Sequence, residues 1–234
     1  MAKGFFITAT DTGVGKTVVS AAIIRALRHQ GLNVCCMKPI ESGCLREGDT
    51  LIPADGNFLK EASGVDEPLE NITPVRFEEP LAPWVAADRM ASHIDIRMIH
   101  EKFRGLEDRY GAVVVEGIGG LMVPIGRDYF VADLAVDMAL PLVIVASAQL
   151  GTINHTLLTV EHSLRNGLTV AGIILNHSAK PQGTVAEETN PDAIAHLTPV
   201  PVIGVMPFIE KLMLAEIERA ALANLDMEIL RKHL

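Results

Sequence analysis

Thr10-Asp11-Thr12-Gly13-Val14-Gly15-Lys16-Thr17 stands directly after an apolar run at 4–9 and directly before a helical-period stretch at 18–28. A glycine-containing turn between strand and helix lets successive backbone N–H groups converge on phosphate oxygens, and the helix adds its N-terminal partial positive charge. In such a loop Lys16 reaches the β- and γ-phosphates and the Thr17 hydroxyl ligates Mg²⁺. The stretch therefore predicts a P-loop that binds ATP through Asp11, Thr12, Gly13, Val14, Gly15, Lys16, Thr17 and Val18. Thr10 stands where the usual pattern begins with glycine, whereas the Gly-Lys-Thr end is complete. An ordinary glycine-rich turn is the alternative.

Outward from this loop, β-branched runs alternate with helical-period stretches. Runs at 4–9, 33–37, 112–116, 142–147, 170–176 and 202–206 are expected strands. Between two of them, Ile96, Ile99, Phe103 and Leu106 recur at helical spacing behind Asp95; elsewhere Ile153, Leu157, Val160 and Leu164 do so behind Gly151-Thr152. One long helix is expected at 212–230. This alternation predicts an α/β fold, P-loop NTPase-like, with a mostly parallel central sheet covered by helices on both faces. Segments 39–57 and 77–83 read as functional loops, and 178–189 as either disordered or a mobile flap.

The 234 residues, 49% apolar and 21% charged, suit a single domain spanning 1–234. A net charge of −9 opposes general attraction to nucleic acid or an anionic membrane. The N-terminal sequence lacks the basic and long apolar regions of a secretion leader, and no apolar run approaches spanning length, so a cytoplasmic protein is expected. Cys35, Cys36 and Cys44 have no zinc-ligand spacing and read as reduced thiols.

Phosphoryl transfer needs charge neutralisation and alignment, so acids and lysines at strand ends carry the next part of the reading. Glu116 follows Ala112-Val113-Val114-Val115 and precedes Gly117-Ile118-Gly119-Gly120, where a parallel strand opens into the ligand crevice; it is expected to ligate the metal. Lys38 ends the 33–37 strand and leads into Pro39-Ile40-Glu41-Ser42-Gly43. It points either into the same crevice or to solvent. Asp55 opens a helical stretch, where it either caps the helix or faces the metal.

Taken together, these residues resemble the dethiobiotin synthetases over nearly the whole chain. The matching blocks are Thr10-Asp11-Thr12 with Val14-Gly15-Lys16-Thr17, Lys38-Pro39 with Ser42-Gly43, Asp55, Glu79-Pro80 with Ala82-Pro83, Glu116-Gly117 with Gly119-Gly120, Gly151 with Ile153-Asn154-His155, and Asn176. The resemblance implies an ATP-dependent cyclo-ligase that converts 7,8-diaminopelargonic acid and CO₂ into a cyclic urea through a carbamate and its phosphoric anhydride. It further implies catalytic roles for Lys16, Lys38 and Thr12, and Mg²⁺ held by Thr17, Asp55 and Glu116. Diamine or carbamate contacts would come from Thr12, Lys38, Ser42 and Gly119. The helix start at Gly151, Thr152 and Asn154 would receive the substrate carboxylate at a homodimer interface. Asn176 would read the base, with Pro207, Phe208 and Glu210 beside base or ribose. Departures from the family pattern fall at Ala9, Gly13, Glu41 and Trp84, and Glu41 adds a negative charge near the carbamate site.

Two rivals differ from this reading. A glutamine-dependent amidoligase needs a further glutaminase domain for which the chain has no room. A regulatory switch ATPase with a protein partner has, in the partitioning and cell-division subgroup, a second lysine early in the loop, where this chain has Asp11.

Overall fold

The computed structural model describes residues 3–234. The first third forms β1 (Gly4–Ala9), α1 (Lys16–His29), β2 (Val34–Met37), β3 (Ile40–Ser42), β4 (Leu45–Glu47), β5 (Thr50–Ile52), α2 (Ala54–Ser63), α3 (Leu69–Ile72) and β6 (Val75–Phe77). Then come α4 (Pro83–Arg89), α5 (Ile96–Glu107), β7 (Ala112–Glu116), β8 (Pro124–Gly126), β9 (Tyr129–Phe130), α6 (Val131–Met138) and β10 (Leu142–Ser147). The remainder comprises α7 (Thr152–Arg165), β11 (Val170–Asn176), α8 (Val185–Leu197), β12 (Val202–Met206), α9 (Leu214–Asn224) and α10 (Met227–Arg231).

Six strands form a parallel sheet in the order β12-β11-β10-β1-β7-β2. All six are the runs read as strands in the sequence. Every position of β1 and β7 is buried, as continuous apolar strands covered on both faces must be. Consecutive parallel strands need crossovers, which α1, α5, α6, α7 and α8 supply. Strand β1 lies between β7 and β10, so the loop after it opens at the centre of the carboxyl edge, where parallel sheets bind ligands.

The expected helix behind Asp95 forms as α5: Asp95 Oδ1 accepts from the Met98 amide at 3.0 Å, and Ile99, Phe103 and Leu106 are buried. Elsewhere the structure departs from expectation. Segment 39–57 holds β3, the hairpin of β4 and β5, and the start of α2. β3 pairs in parallel with β6, so part of 77–83 is also ordered strand, and Pro83 opens α4. Disorder is overturned for 185–189, which begin α8 behind a reciprocal cap: Thr184 Oγ1 accepts from the Glu187 amide, and the Glu187 carboxylate accepts from the Thr184 amide.

The single helix expected at 212–230 is two. The Leu225 amide still closes α9, but the Asp226 amide donates to Ile203 O on β12, while the Asp226 carboxylate caps α10. Backbone pairing with the sheet and a new cap together break the helix. On α7 the buried positions are Thr152, Thr156, Val160 and Ser163. Of the apolar stripe expected there, Ile153 and Leu157 are only half-buried, and Leu164 is exposed.

Candidate active site

A cavity of about 320 Å³ at the carboxyl edge is lined by residues from three neighbouring strand ends and their loops, among them Thr12, Lys16, Thr17, Lys38, Asp55 and Glu116. The P-loop owes its shape to two left-handed residues. Gly13 has φ +79° with open space where a side chain would project, and Gly15 has φ +93° with Asn176 Nδ2 only 2.2 Å from a Cβ placed there. Any L side chain at Gly15 is therefore both strained and blocked. Gly15 is also the N-cap of α1, with no side chain to satisfy the first-turn donors, which leaves those N–H groups free for an anion.

Glu116 organises the charged groups. It is fully buried at the end of β7, and its Oε1 accepts from Thr17 Oγ1 at 2.9 Å and Lys38 Nζ at 2.6 Å. Lys38 Nζ also donates to Gly117 O at 3.2 Å and lies 3.3 Å from Asp55 Oδ2. Lys38 thus faces the crevice and not solvent. Burial works against its charge, but the carboxylates of Glu116, Asp55 and Glu41 outweigh that and raise its pKa. Lys16 is in the opposite position. Burial and the neighbouring Lys38 charge push it down to about 8, with the carboxylates too weakly coupled to restore it.

Glu116 Oε2 is buried without a hydrogen-bond partner, a costly state for a carboxylate oxygen unless a cation can reach it. With the Thr17 hydroxyl and the Asp55 carboxylate in the same lining, these are hard oxygen donors of the kind Mg²⁺ prefers. Among the described residues no group of three or more His, Cys, Asp and Glu could hold a metal alone. A Mg²⁺ that keeps several waters and phosphate oxygens needs no such group.

The capping alternative for Asp55 is overturned. Asp55 lies inside the first turn of α2, and the N-cap is Pro53, whose side chain accepts nothing. The cap comes from Glu41, whose Oε1 and Oε2 accept from the amides of Asp55 and Gly56 at 3.0 and 2.9 Å. Burial pushes the Glu41 carboxyl above its ordinary range, against the pull of those two amides. From sequence alone, Glu41 is only an added negative charge near the site. The one local hint is that Pro53 at the N-cap has no side-chain acceptor, so the cap must come from elsewhere in the chain.

Ser42, Gly13, Gly15 and Gly119 join the same lining, as does Ile118 of the glycine-rich turn after Glu116. Asp11 does not: it is exposed, and its carboxylate accepts from the Thr12 amide at 2.7 Å. Val14 is buried behind the loop and Val18 half-buried on α1. Asn176, buried at the end of β11, donates to Val14 O at 2.7 Å, which brings the residue expected to read the base against the P-loop. Its register partner Met206 leads into exposed Pro207, Phe208 and Glu210. Gly151, Thr152 and Asn154 lie outside the cavity lining. Thr152 is buried with its hydroxyl 3.4 Å from that of Thr156, whereas Asn154 is exposed.

Among the described residues no helix is long and apolar enough to cross a membrane. The family described as "AAA domain" matches residues 3–216. The chain is 42% identical to an ATP-dependent dethiobiotin synthetase of Thermodesulfovibrio yellowstonii, covering 98% of this chain and 99% of that protein. It is 47% identical to one from an Anaeromyxobacter species over 88% of this chain and 90% of the relative, and 38% identical to that of Bacillus licheniformis over 97% and 95%. Among solved structures, the Aquifex aeolicus MinC:MinD complex aligns with a TM-score of 0.57 at 16% identity, covering 99% of this chain and 95% of that one. MinD of Pyrococcus horikoshii gives 0.56 at 18%, covering 94% and 95%. At such identities the structural likeness concerns fold alone.

Proposed function

This chain belongs to the ATP-dependent dethiobiotin synthetase family, ligases of biotin biosynthesis, and on that premise we propose how its residues divide the reaction. The P-loop from Asp11 to Val18 cradles the triphosphate by backbone N–H groups, with Lys16 against the β- and γ-oxygens. Thr17, Asp55 and Glu116 hold Mg²⁺, and the orphaned Glu116 Oε2 is the observation that favours it. Bound there, the ion would supply charge neutralisation for phosphoryl transfer.

The diamine sits beside the loop, near Thr12, Ser42 and Gly119. One amine with CO₂ forms a carbamate, whose negative charge Lys38 stabilises. A carbamate oxygen attacks the γ-phosphorus, the bond to the β–γ bridging oxygen breaks, and ADP leaves. The second amine then attacks the carbamoyl carbon and expels phosphate, closing the five-membered urea. Lys16 and Lys38, drawn to one cavity from the start of α1 and the end of β2, supply positive charge along this path. That convergence is what carries the proposal.

Asn176 reads the base, with Pro207, Phe208 and Glu210 flanking base or ribose. Gly151, Thr152 and Asn154, at the start of α7, receive the substrate's distal carboxylate across a homodimer interface. Leu150 and Leu158, 88% and 61% exposed beside that helix start, support an interface there. The chain works as one unit over 1–234, in the cytoplasm, where ATP is supplied.

The direct test is phosphate release from Mg·ATP and bicarbonate with and without 7,8-diaminopelargonate. Release is expected only with the diamine, with one dethiobiotin formed per ATP. Equal release without it would favour the switch-ATPase alternative.

A further inference from the structure

Glu41 lies in the cavity lining, 5% exposed, yet spends both carboxylate oxygens on the backbone of α2 and not on a lysine. The first turn of a helix carries unpaired N–H donors and a partial positive charge, which a carboxylate satisfies from either end of the chain. One of the two amides is that of Asp55 itself. The carboxylate of that same residue stands 3.3 Å from Lys38 Nζ.

A second contact grips the same turn from another side. Gly56 follows Asp55, and a Cβ placed there would lie 2.1 Å from Thr73 Oγ1. Thr73 is fully buried just before β6, and β6 pairs with β3 at Ile40, Glu41 and Ser42. One constraint therefore comes from β3 itself and the other from the end of α3, two residues before β6. The turn can approach so closely only because position 56 has no side chain.

We propose that Glu41 is a positioning residue: by docking the first turn of α2 onto the β3–β6 ribbon, it sets where the Asp55 carboxylate stands relative to Lys38 and the metal–nucleotide site. This rests on the proposed metal role of Asp55. Glu41 acts through that residue and need not touch substrate.

Glu41→Gln keeps shape but leaves one acceptor oxygen, and its NH₂ faces an amide donor. The readouts are Mn²⁺ affinity of the protein–ADP complex by electron paramagnetic resonance, thermal midpoint, and KM for the diamine. Mn²⁺ binding is expected to weaken about tenfold or more, the usual cost of losing a group that orients a ligand, with diamine KM unchanged. Raised Mg²⁺ should recover part of kcat.

Gly56→Ala displaces the turn from the other side and should give the same Mn²⁺ defect, relieved when Thr73→Ala removes the opposing hydroxyl. A folded Glu41→Gln protein with native Mn²⁺ affinity overturns the inference, as does a raised diamine KM with metal binding intact. If Glu41→Gln does not fold, native Mn²⁺ affinity in Gly56→Ala overturns it. Asp55→Asn separates the two layers: loss of Mn²⁺ binding there but not in Glu41→Gln sinks only the positioning role, whereas native binding in Asp55→Asn sinks the metal assignment beneath it.

Discussion

Two lysines close to the same carboxylates differ because only one of them has a direct partner. Lys38 bonds Glu116 at 2.6 Å and stays charged, while Lys16, buried with Lys38's charge nearby, is pushed down to about 8. A bound triphosphate supplies the opposite charge that Lys16 lacks, so its pKa must rise on binding. Between about 8 and the ordinary 10.5, the free protein has lost that proton and the complex has regained it. ATP binding in this window is therefore expected to take up a proton, and affinity to fall as pH rises, by up to roughly tenfold per unit. Calorimetry at pH 9 in buffers of different ionisation enthalpy reads the uptake directly, and Lys16→Met should abolish it. Proton release, or none, would mean that Lys16 is already charged without ligand.

At the scale of elements, stability resides in junctions that pair a helix end with the sheet. Asp226 caps α10 while its amide bonds β12, and it is not part of the cavity lining. Asp226→Ala should cost about 1 kcal/mol, lowering the thermal midpoint by roughly 2–4 °C in a chain of this length, with kcat unchanged. A drop in kcat at permissive temperature would tie α10 to the site. This junction also explains why 212–230 reads as one helix: its apolar spacing continues through the break, and what divides it is a long-range bond from Asp226 to Ile203 O. The six sheet strands are legible because burial on both faces forces unbroken β-branched runs. β3, β4, β5 and β6 are three residues each, too short to show a period, and exist through pairing. Likewise Lys38 and Glu116 are readable because they end such strands, whereas the task of Glu41 lies in two amides fourteen and fifteen residues onward.

Across the whole molecule, the P-loop side of the site gathers in one cavity, while the proposed carboxylate site at the start of α7 lies outside that lining. Its expected members divide by burial: Thr152 is turned inward against Thr156, and Asn154 faces out. Asn154 and Leu158, four residues apart, share a helical face, and both are exposed. The apolar stripe at Ile153, Leu157 and Leu164 is thus only partly used by the core, and helix spacing alone does not distinguish a face that meets the sheet from one that meets a second copy. A two-fold interface would bring this face against its own equivalent, covering Leu158 on both subunits. Leu158→Asp would then bury two like charges near the axis, which costs far more than the exposed leucine gains. Sedimentation is expected to show a dimer for the native chain and a monomer for the variant at micromolar concentration. In the same variant KM for the diamine should rise while KM for ATP holds, because in the proposed dimer only the distal carboxylate would depend on the partner subunit. An unchanged dimer with unchanged diamine KM would remove α7 from the interface and leave its exposed leucines without a partner.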